Sequence, residues 1–328
     1  MLDRRQIIAV AGALAASTVS TASFAQEKYP SRPVNFILPY AAGGGTDAIA
    51  RAFADKLGQK IGGTLVVDNR PGAGGNIATD TVSAAAADGY TLIMGNQGPM
   101  VVNIHMFKRM KNDPEKSLEP ICLIADAGLV VVVNPQKYPF KTLGELIAEL
   151  KKKPGELNYG SASNGSASHL ATLMLSHVTG VKARHVPYRG ASPAINDLLG
   201  NHIDFMITTT PSVLGQITGG TLTALAVTSE KRVSVLPNVP TAAEAGMPNF
   251  VAAAWYGLLA PKGLPVPVRQ TLEAASLDAL KAPELVEKLK LDGASPAGLG
   301  AEAFRSFMAK ERATWAEVVK AANLSIEG

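Results

Sequence analysis

Val34-Asn35-Phe36-Ile37-Leu38-Pro39-Tyr40-Ala41-Ala42-Gly43-Gly44-Gly45-Thr46-Asp47, continuing into Ala48-Ile49-Ala50-Arg51-Ala52-Phe53, reads as a short buried strand, a glycine turn and a helix. Thr46 or Asp47 is placed to cap that helix, and Ile49, Phe53 and Leu57 recur every four residues to give it an apolar face. Three glycines ahead of a helix start let backbone N–H groups turn towards one point. The helix N-terminus adds partial positive charge there, so the turn suits an anion.

The same unit recurs downstream. Residues 64–68 read as a strand leading to Asn69-Arg70-Pro71-Gly72-Ala73-Gly74-Gly75-Asn76, a second glycine turn, and to a small-residue helix ending near Asp88-Gly89. Residues 90–94 form a third strand that ends at Gly95-Asn96-Gln97-Gly98. Strand–turn–helix repeats imply a parallel sheet with helices on both faces. Ligands collect beyond the carboxyl ends of such strands, where all three polar turns fall. Residues 121–133 are almost wholly apolar, broken only by Asp126 and Gly128, and are long enough for two strands or for one crossing between domains. Thr142-Leu143-Gly144-Glu145 is a capping box opening a helix to residue 153. A strand at 157–159 meets Gly160-Ser161-Ala162-Ser163-Asn164-Gly165-Ser166-Ala167-Ser168 and then a helix at 169–178, repeating the opening unit with serines for glycines. Strands follow at 181–186, 203–207 (ending in Thr208-Thr209-Thr210) and 223–228, and Ser192-Pro193 is expected to cap and start a helix. Residues 250–260, with Trp255 and Tyr256, are the candidate return crossing, and everything after them reads as helical, at 268–280, 283–291 and 301–322. Two strands crossing between two α/β domains define a clamshell with a cleft. Its domains are expected at 26–126 with 251–328, and at 127–250.

Composition narrows the function. The 328 residues are 47% hydrophobic and 18% charged, enough for two cores, and the net charge is a mild +4. No basic block interleaves with aromatics, which argues against nucleic acid. The single cysteine, Cys122, rules out an intramolecular disulfide and reads as a buried, inert thiol. Arg4 and Arg5, an apolar run over 7–16 and Ser23-Phe24-Ala25 read as an export signal cleaved after Ala25, either general secretory or twin-arginine. Its removal leaves a net charge of +3 and an exported, soluble chain with no second span-length apolar segment.

Several motifs imitate other chemistry. Gly72-Ala73-Gly74-Gly75-Asn76-Ile77 fails as a dinucleotide fingerprint because Ile77 stands where a small residue belongs. Ser161-Ala162-Ser163-Asn164-Gly165 imitates a nucleophile elbow with Ser in place of the first Gly, so a hydrolase using Ser161 or Ser163 is the enzyme alternative. His169, His177, His185 and His202 show no metal-ligand spacing and no carboxylate pairing, so they read as surface or capping groups, and no metal or other cofactor is expected. Tyr40, Tyr159, Tyr188, Trp255 and Tyr256 lie near strand ends and read first as packing. At 5% aromatics, a sugar site is disfavoured. Opposed turns of backbone N–H and serine hydroxyls instead suit a carboxylate held reversibly by neutral donors.

From Tyr29-Pro30-Ser31-Arg32-Pro33 onwards the chain resembles the Bug receptors, the extracytoplasmic solute-binding proteins of tripartite tricarboxylate (TctC-type) transporters. The marks are the 38–51 segment, Asn69-Arg70-Pro71-Gly72-Ala73-Gly74-Gly75-Asn76-Ile77-Ala78, Asp88-Gly89-Tyr90-Thr91-Leu92, Tyr159-Gly160-Ser161, Asn164-Gly165-Ser166 with His169-Leu170, Val186-Pro187-Tyr188-Arg189-Gly190, and Leu236-Pro237-Asn238-Val239-Pro240-Thr241 with Glu244 and Gly246. The resemblance implies a type II-like Venus-flytrap fold and a periplasmic, non-enzymatic, monomeric receptor. Its ligand would be a small carboxylate: an amino acid, a di- or tricarboxylate, or an aromatic acid. Its partner would be a membrane permease of one large and one small subunit; a membrane kinase is the sensory alternative. Carried over by residue, ligand contacts are expected from Tyr40, Gly44, Gly45, Asp47 and Gly75 on one side and Ser161, Ser163 and Ser166 on the other. This chain departs from the family's pattern at Ala42, at Asn96-Gln97-Gly98-Pro99 and after Met206, where Ile207-Thr208-Thr209-Thr210 follows. Ala42, Asn96 and Thr208 join the expected ligand-facing positions there.

Overall fold

The computed structural model describes residues 29–321 and 324–327, so the expected export signal lies outside the described residues. The strands are β1 (Val34–Leu38), β2 (Leu65–Asn69), β3 (Thr91–Gly95), β4 (Leu118–Val133), β5 (Asn158–Ser161), β6 (Arg184–Pro187), β7 (Phe205–Thr209), β8 (Thr223–Val227), β9 (Ala253–Pro261) and β10 (Ala294–Gly300). The longer helices are α1 (Gly45–Ile61), α2 (Asn76–Ser83), α3 (Leu143–Lys152), α4 (Ala167–Thr179), α5 (Ala191–Leu199), α6 (Thr210–Thr218), α7 (Val266–Ala279), α8 (Pro283–Leu291) and α9 (Ala301–Ala321).

The apolar run expected at 121–133 is one strand of 16 residues, and it organises the sheet. From Leu118 to Gly128 it pairs antiparallel with β9, and Cys122 to Ala127 also pair with β10. From Leu129 onwards it pairs instead with β7 on one side and β8 on the other. At roughly 3.3 Å per residue this strand is about 50 Å long, enough to thread two sheet halves. The order is β2-β1-β3-β9-β4-β7-β5-β6, with β1, β2 and β3 mutually parallel in one half and β5, β6 and β7 parallel in the other.

Alternation puts helices on both faces of each half. In β1, Val34, Phe36 and Leu38 face one core with Phe53 and Leu57 of α1, while Ile37 joins a second core with Trp255 and Phe304. In β4, Leu129, Val131 and Val133 face a core with Leu146 and Phe205, while Val130 and Val132 face another with Leu198 and Met206. The chain returns through Phe250, which sits in the β5–β7 half, and Ala252, whose N–H donates to Thr228 O (3.1 Å), before β9 runs back along β4.

Three local expectations differ. Residues 294–300 are a strand and not part of a helical tail. Ala-Ser-Pro-Ala-Gly-Leu-Gly has no alternation, and it is extended because β4 offers an open edge, with a bulge between Pro296 and Leu299. The α2 helix stops at Ser83, short of Asp88-Gly89. The expected caps at Ser192 and at Thr46 or Asp47 are absent, since α5 and α1 start from Gly190 and Gly44 without a side-chain cap. The capping box of α3 is formed by Thr142 and Glu145. Cys122 is buried, and burial pushes its thiol up to about 12.

Candidate ligand-binding cleft

The β1–α1 turn is built around Asp47. Its carboxylate accepts from Gly43 N (3.1 Å), Asn69 Nδ2 (3.1 Å) and Arg51 Nε (3.0 Å). Burial opposes ionisation, but the hydrogen bonds from Arg51, Gly43 and Asn69 outweigh it and hold the carboxyl below its ordinary range. Asn69 Nδ2 also reaches Tyr40 O (3.0 Å), so the end of β2 fixes the turn after β1. Tyr40 donates its hydroxyl to Asn96 Oδ1 (3.1 Å) beyond β3, with the Ser163 side chain also in hydrogen-bond contact, and burial raises its pKa to about 12. The second glycine turn reaches the opposite half: Gly74, at φ 68°, lies so close to Asn164 that a Cβ would stand 3.0 Å from the Asn164 carbonyl oxygen.

The β5–α4 turn is a serine network. Ser166 caps α4, accepting from His169 N (3.4 Å), and its hydroxyl donates to Ser163 O (2.7 Å). Ser168 Oγ accepts from Ala162 N (3.0 Å). Ser161 is fully buried and donates to Ser163 O (3.0 Å). Its Oγ also lies 2.6 Å from His185 Nε2. His169 and His185 are not surface groups: they stack at 4.1 Å beneath this turn, against Tyr159, and His169 fills a capping role, its Nδ1 accepting from Gly165 N (3.1 Å) ahead of α4. Burial, and for His169 also the His185 ring, depresses their pKa values to about 3 and about 4. A carboxylate–histidine pair does occur, between exposed His202 and Asp197 (3.3 Å), away from the serines.

The halves meet through the β1–α1 turn. Ala41 N donates to Arg189 O (2.9 Å), Ser192 Oγ to Ala42 O (3.0 Å) and Gly45 N to Ser212 Oγ (2.8 Å). Ser212 and Thr209 hydroxyls lie 2.8 Å apart, and Thr209 is hydrogen-bonded to the Tyr256 hydroxyl. A chain of hydroxyls thus links the first amide of α1 to β9 by way of α6. Gly45 is required for this approach, because a Cβ would fall 2.6 Å from Thr209 Oγ1 and 2.9 Å from Ser212 Oγ.

Enclosed by these elements is a cavity of about 40 Å³. Tyr40, Gly44, Gly45, Asn96, Ser166 and Thr208 line it, as do Thr46, Gln97, Ser168, Thr209, Ser212 and Tyr256, which were not singled out from sequence as contacts. The Thr208-to-Ser212 run at the carboxyl end of β7 carried the signal that could have found two of these, Thr209 and Ser212. Asp47, Gly75, Ser161 and Ser163 stand behind the lining, bracing the turns, and Ala42 lies exposed at the rim. Among the described residues, no charged side chain lines the cavity.

The chain's relatives agree with this architecture. The profile of the tripartite tricarboxylate transporter family receptor (TctC) matches residues 49–324. Protein BugT of Bordetella pertussis is 37% identical over 97% of this chain and 98% of its own. The solved structure of the periplasmic binding protein BugD is 37% identical, with a TM-score of 0.86 over 91% of this chain and all of that one. An R. palustris protein solved with adipate is 33% identical, with a TM-score of 0.87 over 91% of this chain and all of that one. These are receptors, which removes the hydrolase alternative, and the fold is that of the two-domain periplasmic binding proteins. By sequence profile, by identity over nearly its full length and by fold, the chain belongs to the tripartite tricarboxylate transporter receptor family.

Proposed function

We propose that this chain works in the periplasm as a monomeric receptor. It captures a small carboxylate between the β1–α1 turn and the β5–α4 and β7–α6 turns, and presents its closed form to a membrane permease of one large and one small subunit. The observation that carries the reading is a cleft lined by helix-start amides and hydroxyls, with no charged group among the described residues. Neutral donors can satisfy a carboxylate and still release it. Adipate in the related R. palustris protein makes dicarboxylates the first class to test. The 40 Å³ cavity is far below the roughly 300–1,000 Å³ of ligand pockets, so the halves must part for entry and close again over the solute. The proposed domains, residues 26–126 with 251–328 against residues 127–250, are the bodies that move. Thermal-shift titration against mono-, di- and tricarboxylates and their amides tests this. One acid should shift the midpoint saturably while its amide does not; equal shifts from acid and amide, or none across the panel, would sink it.

A further inference from the structure

Beside the cleft lies a second and much larger cavity, of about 380 Å³. Gln97, Ala167 and Ala254 line both and form the partition between them. Gln97 is held there by β9, donating to Ala253 O (3.1 Å) and accepting from Trp255 N (3.3 Å). The second cavity has a different chemistry. Trp255, Trp315 and Phe307 give it aromatic walls, Leu170 and Met174 of α4 close it from the other half, and its charged groups are two carboxylates, Asp126 and Glu311. Among the described residues, no lysine or arginine lines it.

The carboxylates are arranged for a counter-charge. Glu311 Oε2 accepts both indole N–H groups, from Trp255 (3.1 Å) and Trp315 (3.4 Å), which fixes the two rings about one anion. Asp126 stands directly across from Trp255 in the β4–β9 ladder. Its carboxylate has no hydrogen-bond or ion-pair partner among the described residues, and partial desolvation raises its pKa. Asp126 is exposed at the mouth of the cavity, and an unpaired carboxylate there, beside aromatic rings whose faces attract cations, favours a positive ligand. The same field repels the acids that the cleft suits.

We propose that this cavity is a binding site for a small organic cation with an apolar or aromatic body, its ammonium or guanidinium group held by Asp126 and Glu311. The volume lies in the range of small-ligand pockets, with apolar walls and a few convergent polar groups. Its walls come from β4, β9 and α9 on one side of the crossing and from α4 and Val251 on the other, so an occupant bridges the halves and binds best when they are closed.

Both tryptophans of the chain line the cavity, so tryptophan fluorescence, read with no carboxylate present, reports on this site. The purified protein is titrated with phenethylammonium and, in parallel, with 2-phenylethanol, its neutral counterpart. The expected result is a saturable change with the ammonium, at least about tenfold tighter than with the alcohol. Asp126→Asn and Glu311→Gln, which keep side-chain volume and leave an acceptor for the indoles, should each weaken the ammonium about tenfold. Equal responses to ammonium and alcohol, no response up to about 10 mM, or unchanged affinity in the double variant would overturn the assignment.

Discussion

Acid should loosen the β5–β7 half of this protein well before its carboxylates protonate. His169 is buried and His185 half-buried, both neutral and stacked face to face, with pKa values of about 3 and about 4 against an ordinary 6.5. Above pH 6.5 both rings are neutral folded or unfolded, and stability does not depend on them. Below it the unfolded chain takes up protons that the folded chain refuses, so stability is lost as pH falls from 6.5 towards 4. Each unit of pH costs about 1.4 kcal/mol per ring, so at pH 5 the pair removes about 4 kcal/mol. That is a large share of the roughly 5–15 kcal/mol of a typical domain. Asp47 and Asp113, held below their usual range, add to the loss only below about pH 4, outside this window. The assay is urea unfolding at pH 7, 6 and 5, with hydrogen exchange on the amides of α4. The comparison is His169→Asn with His185→Gln, chosen so that an amide oxygen still accepts from Gly165 N and an amide N–H still reaches Ser161. The variant should keep only a weak residual slope, from His105, which is depressed by burial and by Arg312, partly offset by Asp126, whose raised pKa acts in the opposite direction. A wild-type loss below about 1 kcal/mol between pH 7 and 5, or the same slope in the variant, would refute the reasoning.

Gly45→Ala should fold normally yet resist closure. Its methyl would press on Thr209 and Ser212 only when the halves meet, so the ligand-free melting temperature stays within a few degrees while carboxylate affinity falls about tenfold, read by calorimetry. Phe304→Ala removes the ring that fills the space over Gly257 and packs on Trp255, and should cost about 3–5 kcal/mol in urea unfolding. Thr142→Ala deletes one arm of the capping box of α3 and should cost about 1 kcal/mol by the same measurement.

What could be read from the chain alone was whatever rests on neighbours in sequence. The strand–turn–helix unit at 34–53, the long apolar run that became β4, the Thr142–Glu145 box and the inert Cys122 are all local patterns whose physics needs no distant partner. The family marks lie in the same turns, so the two-domain architecture was legible as well. Tertiary structure decided what depends on residues far apart. Residues 294–300 are a strand only because β4 presents an edge to a segment with no strand pattern of its own. The His169–His185 pair was drawn inward through a stack whose members lie on α4 and β6. Ser212, 167 residues from Gly45, supplies the acceptor for the first amide of α1, and Asp126 meets Glu311 in one cavity only once β4 and α9 have packed. Local periodicity reports which face of an element is apolar; the partner that each polar group finds is set when the halves come together, because a hydrogen bond acts over about 3 Å and carries no trace in the sequence between its ends.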